Sequence, residues 1–148
     1  MRITLAAAAL IASSLAIAPA FAQSEEEVVN QIESIHGDSV GFGEAFGMLQ
    51  DGFLFGDLAV TMANMAFYPL PIEANGEAYD IIEPQDLIDN FSDLVTLDTQ
   101  DALASQDFSD LIVTSEGVGF ANGALWMTNV CLDDGCAETQ WGILSINN

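Results

Sequence analysis

Residues 118–131, VGFANGALWMTNVC, decide the fold, because the Asn-Gly pair at 122–123 separates two runs of strand-forming residues. An Asn-Gly pair in that setting is the strongest short-range signal for a β-hairpin. A tight turn fixes the register of the two strands and pairs Phe120 with Leu125, Gly119 with Trp126 and Val118 with Met127. This register predicts that the indole of Trp126 covers the bare backbone of Gly119.

A second turn is predicted at residues 132–135, Leu-Asp-Asp-Gly, and leads to a third strand. Closing this turn pairs Cys131 with Cys136, Thr128 with Thr139 and Trp126 with Trp141. We expect a disulfide between the two cysteines, whose short ring adds only about 2 kcal/mol and mainly fixes the register. The alternative is a redox or metal-binding pair, for which this spacing without a nearby histidine is a weak signal. The last third of the chain thus predicts a three-stranded antiparallel meander.

The first 22 residues have the features of a secretory signal peptide. Arg2 precedes a long apolar run, and Ala20-Phe21-Ala22 forms a small-x-small cleavage site. A membrane anchor is the alternative, but two serines and a proline interrupt the run and no stop-transfer charge follows it. Cleavage after Ala22 would remove 22 of the 148 residues and leave a mature protein of 126. We expect this mature protein to be periplasmic or secreted, without membrane insertion.

The mature protein is acidic without any basic side chain to compensate. Arg2 is the only Lys or Arg of the chain, so residues 23–148 carry 23 carboxylates, a single histidine and neither Lys nor Arg. Nothing can neutralise phosphates, which excludes nucleic acid as a partner and disfavours anionic membrane surfaces. Two explanations of the acidity stay open. One is a solvated surface suited to high salt, and the other is a field that attracts a cationic protein, a polyamine or a divalent metal ion.

Residues 23–40 predict an amphipathic helical arm. Ser24 and Glu27 form a capping box, and Gly37 can end the helix. The apolar stripe consists of Val28, Val29, Ile32 and Ile35. The arm either packs on the domain or frays from it, and His36 at its end is interpreted as a solvated or capping histidine.

Two further helices follow the arm. Residues 41–56, GFGEAFGMLQDGFLFG, have apolar residues at helical spacing despite five glycines. That core stripe consists of Phe42, Phe46, Leu49 and Phe53. Asp57 is then a predicted N-cap for a second helix that ends at Ala66.

The middle of the chain predicts a short hairpin and a third helix. Pro69 and Pro71 favour an extended edge strand up to Glu73, and a turn at residues 75–76 leads to a returning strand at 78–82. Pro84 starts the third helix. Asp98 with Asp101 is expected to cap a short helical turn through Ala104. The predicted fold class is therefore α+β: a curved antiparallel sheet, made of a short hairpin and a three-stranded meander, with about three helices on one face.

This order of elements resembles the nuclear transport factor 2-like superfamily, which includes ketosteroid isomerases and polyketide cyclases. Two segments, residues 67–70 (FYPL) and 116–126 (EGVGFANGALW), resemble small exported bacterial proteins of that fold. The resemblance covers residues 41–146 and implies one domain over 41–148, with a cone-shaped hollow between helices and sheet. It also implies homodimerisation through the open face of the sheet. This fold hosts binding proteins and enzymes alike, so the resemblance says little about chemistry.

The leading hypothesis is an exported, non-enzymatic binding protein whose hollow takes up a small apolar or cationic ligand. The expected lining residues are Tyr68, Tyr79, Asp80, Trp126 and Trp141. A core cross-strand pair is the alternative interpretation of the two tryptophans. A second hypothesis is an interaction protein whose acidic exterior engages a cationic partner.

A third hypothesis is an enzyme of the isomerase or cyclase type. The resemblance implies an acidic base inside the cone, for which Glu73 or Asp80 is suitable, with a tyrosine as hydrogen-bond donor. No second acid or tyrosine follows in residues 124–128 to stabilise a developing charge, so no catalytic residue is assigned. No cofactor or metal is expected. Asp133, Asp134 and Glu138 are weak Ca²⁺ ligand candidates, and Asp-Asp-Gly is foremost a turn sequence.

Both explanations of the acidity predict that the melting temperature of residues 23–148 rises when NaCl is added, because salt screens the repulsion between carboxylates. Thermal unfolding followed by circular dichroism from low to high NaCl measures this dependence. A melting temperature that stays constant over this range would contradict both explanations.

Overall fold

In the computed structural model, which describes residues 23–148, the chain forms six α-helices and a six-stranded sheet. The predicted signal peptide lies outside the described residues. The helices are Glu25–His36 (α1), Ser39–Phe55 (α2), Leu58–Met65 (α3), Pro84–Asp89 (α4), Phe91–Leu94 (α5) and Leu97–Ala104 (α6). The strands are Leu70–Ala74 (β1), Glu77–Ile81 (β2), Ile112–Val113 (β3), Val118–Phe120 (β4), Leu125–Cys131 (β5) and Thr139–Asn147 (β6). The α+β class is as predicted, with more helices and strands than expected.

The N-terminal helix begins and ends as its sequence predicts, and it packs on the domain. The Glu27 backbone N–H donates to Ser24 Oγ at 3.2 Å, and the Ser24 N–H donates back to the Glu27 carboxylate at 2.8 Å. Gly37 ends the helix in the left-handed conformation. Val28 and Ile32 are fully buried, so α1 contributes to the same core as the sheet.

His36 is part of that packing and is not simply solvated. Its Nε2 lies 2.9 Å from the Thr114 carbonyl oxygen, which can only accept, so Nε2–H is the donor. The imidazole also meets the Trp141 ring edge-on, with 5.2 Å between ring centroids. His36 therefore fastens the end of α1 to the sheet.

Two predictions about the later helices are wrong in detail. The expected third helix is broken at Asn90 into α4 and α5, because the Asn90 side chain donates to the Asp86 carbonyl oxygen and competes with the helical pattern. The cap of α6 is Thr96, whose hydroxyl accepts from the Thr99 N–H, and not Asp98. Thr96, two residues before Asp98, has the extended backbone that an N-cap requires.

The hairpin at residues 122–123 is confirmed. The observed pairs of β4 and β5 are Phe120 with Leu125, Gly119 with Trp126 and Val118 with Met127. A Cβ atom on Gly119 would lie 3.0 Å from the Trp126 ring, so the indole does cover that glycine. The expected antiparallel succession of β4, β5 and β6 is also present.

The predicted register between β5 and β6 is wrong, although the disulfide is confirmed. Cys131 and Cys136 are bridged, but the connection runs through residue 138 and is longer than a tight turn. A bulge at residues 126–127 shifts the register further. Trp126 consequently faces Ser145, and Trp141 faces Asn129, so the tryptophans do not form a cross-strand pair. Thr128 faces Gly142 and not Thr139.

The first hairpin strand is internal, contrary to the edge position predicted from its prolines. The strand order is β2-β1-β6-β5-β4-β3, and β1 pairs in parallel with β6, so the sheet is mixed. That parallel contact joins Ile72 to Ile146 and Glu73 to Asn147. Both prolines precede it, so neither has to donate to β6. The outer strand is β2.

An aromatic cluster fills the space between α2 and the sheet. Its members are Phe42, Phe46, Phe108, Phe120 and Trp141. The Phe42 ring lies at the centre and is fully buried, with its centroid 4.9 Å from that of Trp141 and 5.9 Å from that of Phe120. The predicted core stripe of α2 therefore packs as expected, and its aromatic rings occupy the space under the sheet.

Two glycines give a matched test of this packing. A Cβ atom on Gly142 would lie 2.6 Å from the Phe67 ring and 2.7 Å from the Met65 carbonyl oxygen. We expect Gly142→Ala to lower the free energy of unfolding by about 1–3 kcal/mol through overpacking. At Gly43, an exposed helical position, a Cβ atom would meet nothing within 4 Å. Gly43→Ala should therefore raise the free energy of unfolding by about 0.5–1 kcal/mol. Urea unfolding measures both, and equal effects would contradict the described packing of Gly142.

Candidate functional site

Three of the predicted ligand-binding side chains use their polar atoms within the fold. The Tyr68 hydroxyl donates to the Ala63 carbonyl oxygen at 2.8 Å, and burial raises the pKa of this tyrosine. The Trp126 Nε1–H donates to a carbonyl oxygen in its own hairpin at 3.0 Å. The Trp141 Nε1–H donates to the Asp38 carbonyl oxygen, also at 3.0 Å. These hydrogen bonds orient the three rings for packing.

The other two predicted ligand-binding residues lie on β2. Tyr79 donates its hydroxyl to the Glu77 carboxylate at 2.6 Å, and that hydrogen bond raises the pKa of the tyrosine. Tyr79 borders a groove of about 370 Å³ together with Ile81, with Asn90 between α4 and α5, and with residues of α5. Asp80 is exposed and pairs with Pro71 across the strands. The five predicted residues therefore do not line one common groove.

The acidic candidates for a catalytic base lie on the outer face of the sheet. In β1 the buried residues alternate with exposed ones, and Glu73 is exposed. Asp80 shares that face, because it pairs with exposed Pro71. Tyr79 pairs with buried Ile72 and so belongs to the opposite face. The structure thus does not bring either acid together with its expected tyrosine donor.

The disulfide loop is organised by one carboxylate. Asp133 accepts hydrogen bonds from the backbone N–H groups of Gly135, Ala137 and Glu138 at 2.8, 3.0 and 3.0 Å. The bonds from Ala137 and Glu138 hold the pKa of Asp133 below its usual value. No cluster of three or more metal-binding side chains occurs within residues 23–148. Asp133 therefore acts as a turn former, as the sequence suggested.

The depressed pKa makes the contribution of Asp133 to stability depend on pH. An aspartate has a pKa of about 3.9 when unfolded, so its hydrogen bonds stabilise the fold above that pH. This contribution disappears as the pH falls through the lower pKa of the folded state. We expect Asp133→Asn to melt below the wild type at pH 7 and the gap to close on acidification, with the disulfide intact in both. A gap that is the same at pH 7 and pH 2 would contradict this role.

The most apolar exposed surface lies along α2 and was not predicted from the sequence. A groove of about 410 Å³ runs between α2 and α3. It is lined by Met48, Asp51, Gly52, Phe55, Gly56, Thr61, Asn64 and Met65. A second groove of about 390 Å³ adjoins it at Met48, Asn64 and Met65 and continues to the start of β6. We call the two together the α2 groove.

Large apolar side chains of α2 are unusually accessible. Phe55 is 87% exposed and Met48 is 54% exposed, and both line the α2 groove. Leu54 is 70% exposed but does not line it. A helix that is apolar on nearly all sides is normally covered on all sides. The core covers only one side of α2.

Small residues form the floor of the α2 groove. Gly41 and Ala45 lie in its second half, and Gly52 lies in its first half. A Cβ atom on Gly52 would come within 2.9 Å of the Thr61 side chain, so α2 and α3 approach closely there. Met65 is mostly buried at the junction of the two halves. The floor of the groove therefore consists of small and apolar residues.

Among residues 23–148, the charged side chains that line the α2 groove are all carboxylates. Asp51 lines its first half, and Asp38 and Glu44 line its second half. Asp38 is occupied as the N-cap of α2, where its side chain accepts from the Gly41 N–H at 2.9 Å. Glu44 and Asp51 are exposed and make no side-chain hydrogen bond within the described residues. The electrostatic potential of the groove is consequently negative.

Comparison of the chain with protein-family models, curated proteins and solved structures found no match. Within residues 23–148, no helix has both the length and the apolar character needed to cross a membrane.

Proposed function

We propose that this protein is an exported binding protein that takes up an apolar, positively charged ligand in the α2 groove. The observation that carries this proposal is the 87% exposure of Phe55 in a groove whose charged lining residues, within residues 23–148, are all carboxylates. A large exposed apolar patch with a polar rim is typical of an interaction site. The position of the groove differs from the hollow that we expected, and the proposed ligand combines the apolar and the cationic character that the leading hypothesis gave as alternatives.

The two surface properties select different features of the ligand. The apolar floor around Met48 and Phe55 favours burial of apolar area, at about 25 cal/mol per Å². The acids at 44 and 51 favour a cation, and residues 23–148 contain no Lys or Arg to satisfy them. The hypotheses of a small cationic ligand and of a cationic partner protein thus lead to the same site.

Export and fold family belong to the same proposal. The predicted signal peptide supports export, and the Cys131–Cys136 bridge supports an oxidising compartment. The α+β class and the antiparallel β4-β5-β6 succession support the resemblance to the nuclear transport factor 2-like superfamily. Homodimerisation through the open sheet face is a further prediction of that resemblance, and light scattering at micromolar concentration measures it.

A pair of ions with the same shape and opposite charge tests the proposed site. We expect tetraphenylphosphonium to bind residues 23–148 in isothermal titration calorimetry, and tetraphenylborate to bind far more weakly. Phe55→Ser should weaken binding of the cation on the order of tenfold, since it removes most of an aromatic contact. Leu54→Ser is the matched control, because it changes the neighbouring exposed apolar side chain, which lies outside the groove.

Three outcomes would contradict the proposed site. The first is equal affinity for the two ions, and the second is no binding of either. The third is an equal loss of affinity in the Phe55 and Leu54 variants. Circular dichroism of both variants would establish that the fold is retained.

A further inference from the structure

We infer that the occupant of the α2 groove is an amphipathic helix of a partner protein, about four turns long, with basic residues along one edge. This inference rests on the proposed function and specifies its ligand. Three features of the groove carry it: its length, its two helical walls and the spacing of its carboxylates.

The α2 groove is longer than a compact small molecule requires. Its lining follows α2 from Gly41 to Phe55, which corresponds to about 21 Å at 1.5 Å per residue. Each half alone has a volume of about 400 Å³, which suits a small ligand and leaves the other half empty. A helix of about 14 residues has the same length as the whole groove.

The walls have the form that receives a helix. The first half lies between α2 and α3, and an apolar helix face in such a groove is a recurrent mode of recognition. Met48 and Met65 are unbranched and adaptable, so they can fit around side chains of different shapes.

The free carboxylates repeat with helical spacing. Glu44 and Asp51 are seven residues apart, so they lie on one side of α2, about two turns from each other. Basic residues seven apart on a neighbouring helix have the same separation. A partner helix with cations along one edge can thus place one opposite each acid while its apolar face contacts Met48 and Phe55.

A second copy of this chain does not meet the requirement. A second copy has no Lys or Arg, once the signal peptide is removed, to place opposite Glu44 and Asp51, so these carboxylates would stay without a cationic partner. This requirement applies to the α2 groove and not to the open face of the sheet. The partner is therefore a different, basic protein.

The test uses a 14-residue peptide of leucine, alanine and lysine, arranged with an apolar stripe and lysines seven residues apart. Its two controls are a scrambled peptide of the same composition and a peptide with a proline at its centre. We expect the first peptide to bind residues 23–148 at low salt on the order of tenfold more tightly than either control. Circular dichroism should show that the peptide has a higher helix content in the complex than when it is free.

Charge variants test where the peptide lies. Glu44→Gln with Asp51→Asn should weaken binding and reduce its salt dependence. Glu73→Gln with Asp80→Asn removes the same charge from the outer face of the sheet and should have a much smaller effect. Equal effects of the two double variants would overturn the inference, because the attraction would then come from the overall charge.

The remaining outcomes separate this inference from the proposed function. If tetraphenylphosphonium binds through Phe55 while the three peptides bind alike, the helix is excluded and the binding groove stands. If neither the cation nor any peptide binds, both proposals fail. A dimer in light scattering that dissociates on Phe55→Ser would assign the groove to a second copy and overturn the inference.

Discussion

The absence of any Lys or Arg after residue 2 is the constraint on which the rest of the structure depends. No carboxylate of the described chain can therefore form an ion pair with Lys or Arg. Several of the carboxylates accept hydrogen bonds from backbone N–H groups instead. Asp38 and Asp57 cap α2 and α3, Glu27 completes the capping box of α1, and Asp133 organises the disulfide loop. Hydrogen bonds from Ser39 likewise lower the pKa of Glu33. The acids thus define where helices and turns begin.

Local features could be predicted because neighbouring residues determine them. The Asn-Gly turn at 122–123 and the caps at Ser24 and Asp57 each depend on a few adjacent positions, and all are observed. The parallel pairing of β1 with β6 joins Ile72 to Ile146, and no local pattern specifies such a distant contact. The β5–β6 register was missed because the hydrogen bonds of Asp133 extend the loop beyond a tight turn.

The candidate site likewise has one part that neighbouring residues determine and another that depends on distant contacts. Helical periodicity identified the buried side of α2 through Phe42 and Phe46. It could not show that α3 leaves Met48 and Phe55 uncovered, because the position of α3 follows from the close contact between Gly52 and Thr61. The sequence nevertheless contains a signal for these residues, because Met48 and Phe55 are apolar and lie outside the predicted core stripe of α2. The sequence instead predicts a site on β2 and the meander, because aromatic and charged residues occur there. Most of the polar atoms of these residues make hydrogen bonds within the fold.

The distribution of charge distinguishes recognition from mere solubility. A surface that is acidic only for solvation has no reason to expose large apolar side chains, yet α2 exposes Met48, Leu54 and Phe55. In the proposed function, the surrounding acids attract a cationic ligand from a distance, and the exposed apolar side chains of α2 then contact it. We therefore expect salt to have opposite effects on stability and on binding. It should stabilise the fold by screening repulsion among the acids, and it should weaken the attraction between the groove and a cationic ligand.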